Sequence, residues 1–133
     1  NANYFLFKYN LSNEDKKRIK FLIENYELFS EKDYFNKKNL QRIFYFNNKS
    51  YVIDLLDLKI FNSKTVPKKL IQLKKYFEQF KKPIFPLKPQ DLLEKYNLKE
   101  GKEFGQKIRL LEDLWLNNSF KLSNKEIDNV LNN

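Results

Sequence analysis

Glycine and proline, the residues that interrupt regular structure most freely, are scarce and bunched in this chain. Gly101 and Gly105 are the only glycines of 133 residues, and Pro83, Pro86 and Pro89 are three of the four prolines. A sandwich or barrel needs turn chemistry about every 8–12 residues. This sequence lacks it, and its abundance of Lys, Leu, Asn and Ile points to helices. The expected fold is all-α: an elongated bundle of about seven short helices with a proline-rich connector near residues 83–89.

The spacing of apolar residues places the helices. Ser12-Asn13-Glu14-Asp15 reads as a helix start with acids in the first turn, followed by Ile19, Leu22, Ile23, Tyr26 and Phe29 on one buried face. Leu40, Ile43 and Phe44 mark a second helix, broken at Asn47-Asn48, and Val52, Ile53, Leu56 and Ile60 mark a third. Pro67 sits in the first turn of a fourth, whose stripe is Leu70, Leu73, Phe77 and Phe80; Pro83 stops it. Residues 83–89 form an extended connector, read either as a hinge between subdomains 3–82 and 83–133 or as a rigid turn. A short helix at 89–96 follows, then one opened by glycine with Phe104, Ile108, Leu111 and Trp115 on its apolar face. Ser123-Asn-Lys-Glu126 is a capping box, with Leu122 stapled onto Ile127 and with Val130 and Leu131 completing the last helix.

Composition bounds the chemistry. With no cysteine the chain has neither disulfides nor thiolate metal ligands, which fits the cytoplasm. No apolar run approaches the ~18 residues of a membrane-spanning helix, so no span of a membrane is expected. The net charge of +9 favours a polyanion such as RNA or an anionic membrane surface; an AT-rich genome would also enrich lysine whatever the function. Lysine outnumbers arginine, and lysine binds phosphate as a point charge rather than reading base edges.

The basic residues cluster. Lys16, Lys17 and Lys20 lie on the polar side of the first helix. Lys68, Lys69, Lys74 and Lys75 flank the stripe of the fourth, and Lys81 and Lys82 lead into the connector. They are candidate phosphate ligands, with a solvated helix face as the alternative. Gly101 and Gly105, flanked by Lys102 and Lys107, could open a phosphate cradle at a helix N-terminus. Close packing of that helix against a neighbour is the preferred alternative. The aromatic clusters, Tyr4-Phe5 and Phe44-Tyr45-Phe46, could stack RNA bases but read better as core. Asp54 and Asp57, one turn apart, could share a metal; solvation, pairing with Lys59 or local capping is the simpler reading. With no His or Cys and no nucleotide site, the chain itself is expected to be non-catalytic.

One stretch carries a resemblance. Asp91-Leu92-Leu93 after the prolines, Gly101 and Gly105, then Leu111-Glu112 with Trp115 and the later Phe120, resembles the C-terminal body of bacterial tRNA nucleotidyltransferases and poly(A) polymerases, the CCA-adding superfamily. The likeness covers roughly residues 83–131. Asn97 stands where the family ends its short helix on glycine, and asparagine can serve as the left-handed cap. The resemblance implies an RNA-holding fragment that binds tRNA by duplex shape and phosphates, as a monomer. It also implies a catalytic head, absent from this chain, that would use Mg2+ with CTP and ATP to add CCA, or ATP to add poly(A). The fragment itself would need no cofactor. Asn1-Ala2 looks like an expression scar, so the chain is expected to be a C-terminal piece of that enzyme. A structural or protein-interaction module is the alternative.

Overall fold

A computed structural model of the protein describes residues 11–132, so Asn1-Ala2 and the Tyr4-Phe5 cluster lie outside the described residues. These residues form α-helices without a strand: α1 (Asn13–Asn25), α2 (Lys37–Phe46), α3 (Lys49–Phe61), α4 (Lys68–Gln79), α5 (Pro89–Lys95), α6 (Lys102–Asn117) and α7 (Asn124–Leu131). A 3-10 turn, Tyr26–Ser30, follows α1 directly. The chain divides into two compact units, and the division falls between Lys82 and Pro83.

In the first unit the starts of α1, α2 and α3 are each built by a short polar side chain. Ser12 Oγ accepts from the Asp15 N–H at 3.1 Å, Asn36 from the Asn39 N–H at 2.7 Å and Asn48 from the Ser50 N–H at 3.0 Å. Each satisfies one of the N–H groups that a helix start leaves without a backbone partner. Asn47 caps the end of α2 and Asn48 the start of α3, so two asparagines accomplish the break. Pro67 occupies the cap position before α4 rather than its first turn.

Helix α3 is the centre of this unit and packs on α1, α2 and α4. Leu40, Phe44, Val52, Leu56 and Phe77 form its main core, and Phe29, Tyr34 and Leu55 a second cluster. Leu55 shows that α3 is buried over a wider arc than the Val52–Leu56–Ile60 stripe implied. The α1 face corrects the expectation in the other direction. Of its five residues only Phe29 is buried, whereas Ile23 and Tyr26 are 51% and 54% exposed. For Tyr26 the cause is local: α1 ends at Asn25 and the chain tightens into 3-10 geometry. Each residue then advances by about 120° instead of 100°, so Tyr26 leaves the stripe.

The second unit is closed by Leu92, Phe104, Leu111, Ile127 and Leu131. Phe85 and Leu87 pack on this cluster, and the Phe85 ring meets Trp115 edge-on at 5.4 Å, so the proline-rich segment is anchored through alternate side chains. Helix α5 ends in a Schellman turn. Asn97 takes a φ of 51°, the Leu98 N–H donates to Leu93 O at 3.0 Å and the Asn97 N–H to Glu94 O at 3.4 Å. Helix α6 ends similarly on Ser119 and Phe120, with φ of 55° and 65°; the Phe120 N–H donates to Trp115 O and its ring packs against Trp115 at 5.1 Å. The capping box is present: the Glu126 N–H donates to Ser123 Oγ at 3.1 Å and the Ser123 N–H to Glu126 Oε1 at 3.3 Å.

Candidate nucleic-acid interface

The charge is not spread along the chain. Residues 37–82 hold twelve lysines and arginines against three acids, a net +9 equal to that of the whole molecule. Residues 1–36 carry six of each sign, and residues 83–133 eight of each. The excess therefore belongs to α2, α3, α4 and the segments that join and follow them. Its three acids are Asp54, Asp57 and Glu78.

Two of those acids are already occupied. Arg18 of α1 donates to both carboxylate oxygens of Asp54 at 2.7 Å, and Lys74 pairs with Asp57 at 2.7 Å. The bond and charge of Asp54 hold the Arg18 guanidinium far above its ordinary range, and those of Asp57 raise the Lys74 ammonium. Lys59, the partner expected for these acids, points elsewhere: its Nζ donates to Phe29 O at 3.3 Å. Asp54 and Asp57 are thus neutralised by two different cations. Among the described residues no three acids, histidines or cysteines converge to hold a metal ion.

On α4 the exposed positions are Lys68, Lys69, Gln72, Lys75, Glu78 and Gln79. Lys68, Gln72, Lys75 and Gln79 follow the 3-4 spacing of one helical stripe, and Lys68 and Lys75 stand two turns, about 10.5 Å, apart. Lys68, Lys69, Lys75, Lys81 and Lys82 are exposed and make no ion pair with a carboxylate among the described residues. Lys74, grouped with them in the sequence, faces α3 instead. Lys82 Nζ lies 5.6 Å from the centre of the Tyr45 ring, which keeps its charge at the surface beside an aromatic face. Lys37 stands outside the clusters visible in the sequence; it sits 3.8 Å over Tyr76, whose hydroxyl accepts from Gln41 at 2.8 Å. Counting charge over a window would have found Lys37, because the acids vanish from the sequence just before it.

The second group, Gly101, Lys102, Gly105 and Lys107, belongs to the other unit. Gly101 has φ 157° and ψ −171°, a conformation that only glycine adopts at little cost, and it forms the cap of α6. Close packing does not explain the pair: a Cβ placed on either glycine would meet nothing within 4 Å. That expectation is overturned, because both glycine positions face open space rather than a neighbouring helix. Lys107 is turned inward, its side chain 18% exposed and 3.8 Å from Glu103 in the same helix. Lys102 is exposed. Glu103 lies in the first turn of α6, where it meets the positive end of the helix dipole.

The aromatics follow the core reading only in part. Phe44 is buried and Tyr45 half-buried, whereas Phe46 is 53% exposed. A cavity of about 470 Å3 opens beside the end of α3, between Tyr26, Phe29, Lys59 and Asn62. Among the described residues no helix is long and apolar enough to cross a membrane. Set against protein-family models, curated proteins and solved structures, the chain matches none of them.

Proposed function

We propose that this chain holds RNA through its phosphates, as the non-catalytic C-terminal part of a nucleotidyltransferase that adds CCA or poly(A) to RNA 3′ ends. The observation that carries the RNA reading is the confinement of the whole net charge to residues 37–82. Genomic enrichment of lysine acts on every segment alike. It offers no reason for balanced charge on both sides of a segment at +9. A polyanion-binding surface does, because contact with phosphates selects cations where the ligand lies and nowhere else.

The unpaired lysines of α4 and the residues after it, Lys68, Lys69, Lys75, Lys81 and Lys82, are the ligands in this reading. They would position RNA by its backbone without selecting a sequence, the mode suited to an A-form duplex whose major-groove base edges are out of reach. Lys102 and Lys107 are secondary, since their unit is neutral overall. The assignment to a CCA- or poly(A)-adding enzyme, and tRNA as the ligand, rest on the motif from Asp91 to Phe120. Mg2+ and the nucleotide would belong to that enzyme's head. Asp54 and Asp57, each held by a cation, do not fit a metal site here, and no catalytic step is derived for this chain. The deciding experiment is a titration with tRNA at low and high salt. Binding that weakens steeply with salt supports the reading, and no binding at low salt refutes it in favour of a protein-interaction module.

A further inference from the structure

Among the described residues of the first unit most large aromatic side chains are covered at least in part, but Phe61 is 84% exposed. It is the last residue of α3, at the tip of the hairpin that α3 makes with α4. Val66, near the far end of the same connection, is 73% exposed. From residue 58 to residue 77 the chain has six lysines and no acid. Lys59 is tied back to Phe29 O and Lys74 to Asp57, while Lys64, Lys68 and Lys69 stand around the tip, all exposed.

The tip is held at both ends. The Asn62 N–H donates to Leu58 O at 3.1 Å, the Ser63 N–H to Ile60 O at 3.1 Å and Ser63 Oγ to Lys59 O at 2.8 Å. Across Pro67 the Lys68 N–H donates to Val66 O at 3.1 Å. An exposed ring on a fixed backbone offers an apolar face with little ordering left to lose on binding.

We infer that the α3–α4 tip takes an unpaired nucleotide of RNA, its base stacked on Phe61 and its flanking phosphates met by Lys64, Lys68 and Lys69. This rests on the RNA reading above and narrows it: the ligand includes a single-stranded segment and not duplex alone. Stacking on an aromatic side chain beside lysines is the way unpaired bases are gripped without sequence preference. A lipid surface fits less well, because polar residues 62–65 separate Phe61 from Val66 and break any continuous apolar face.

The test uses the full chain, a labelled RNA stem with a short single-stranded 3′ overhang, and the same stem made blunt. Phe61→Ala is expected to weaken binding of the overhang RNA at least about fivefold while leaving the blunt stem unchanged, and Phe61→Tyr is expected to keep the parent affinity. Unaltered helical circular dichroism is expected for both variants, since the side chain is exposed. If the parent chain binds RNA but Phe61→Ala weakens neither ligand, or both equally, the tip assignment falls and the RNA reading stands. If the parent binds neither RNA, both fall. If Phe61→Ala loses only binding to anionic phosphatidylserine vesicles, the tip is a membrane contact and the inference is overturned.

Discussion

Arg18 reaches from α1 to α3 and closes Nε and Nη2 on the two carboxylate oxygens of Asp54, each at 2.7 Å. This fork sits where α1 buries no residue of its own, so it supplies direction to a helix held by half-buried apolar contacts. It also engages both carboxylate oxygens of Asp54. A double-mutant cycle of Arg18→Ala and Asp54→Ala in urea is expected to show a coupling of about 1 kcal/mol, limited by the solvent exposure of the guanidinium. A coupling of zero would reduce the fork to a surface contact.

Gly101 and Gly105 are expected to respond with opposite signs. At Gly101 any side chain is strained by the backbone, so Gly101→Ala is expected to cost about 1–3 kcal/mol. At Gly105 the backbone is helical and the space is open. Gly105→Ala is therefore expected to stabilise by about 0.5–1 kcal/mol, the helix propensity difference. Chemical denaturation of the two variants decides it; destabilisation by Gly105→Ala would restore the close-packing explanation.

Tyr34 gives the protein an alkaline limit. Burial pushes its phenol up to about 12 from an ordinary value of 10.0, and its hydroxyl donates to Asn25 Oδ1 at 3.1 Å. Between those values the unfolded chain loses the proton while the folded chain keeps it. The stabilisation is complete below pH 10 and is lost as pH rises through about 12, with a slope of at most about 1.4 kcal/mol per unit. Denaturation of the parent and of Tyr34→Phe across that range is the measurement. The parent is expected to lose more stability than the variant, because the two differ only in this phenol; parallel curves would contradict the burial argument.

Charge reversal separates the two lysine groups. Lys68→Glu with Lys75→Glu and Lys82→Glu is expected to abolish most tRNA affinity at moderate salt. It is also expected to flatten the salt dependence, by about one in log–log slope for each lysine–phosphate pair removed. Lys102→Glu with Lys107→Glu is expected to have a much smaller effect. Melting curves verify that each triple or double variant is folded. Equal losses from the two sets would move the interface onto both units.

The helix ends were the most legible part of this fold. Ser12, Asn47-Asn48 and the Ser123–Glu126 box work through side chains a few residues from the backbone they bind, so their chemistry is written locally. Asn97 could be read as a left-handed cap for the same reason. The paired positive φ at Ser119 and Phe120 could not, because neither residue type favours it and the ring of Trp115 supplies the reason. The exposure of Tyr26 depended on where α1 tightens, and periodicity alone does not reveal that point. Clustering in the sequence grouped Lys68, Lys69, Lys75, Lys81 and Lys82, which the structure leaves exposed. It could not tell that Lys74 turns to Asp57 across the hairpin or that Lys107 folds onto Glu103, since partners are a matter of packing. Phe61 is hidden in the sequence because an aromatic among Leu and Ile reads as core until its neighbours are placed.

The segregation of charge has a thermodynamic side. A segment at +9 repels itself when it becomes compact, so the first unit folds against its own electrostatic pressure while the second, being neutral, does not. Any anion that gathers on α4 relieves that pressure and stabilises the native state by mass action. Ligand binding and folding of this unit are therefore coupled through ordinary self-repulsion, with no conformational switch required.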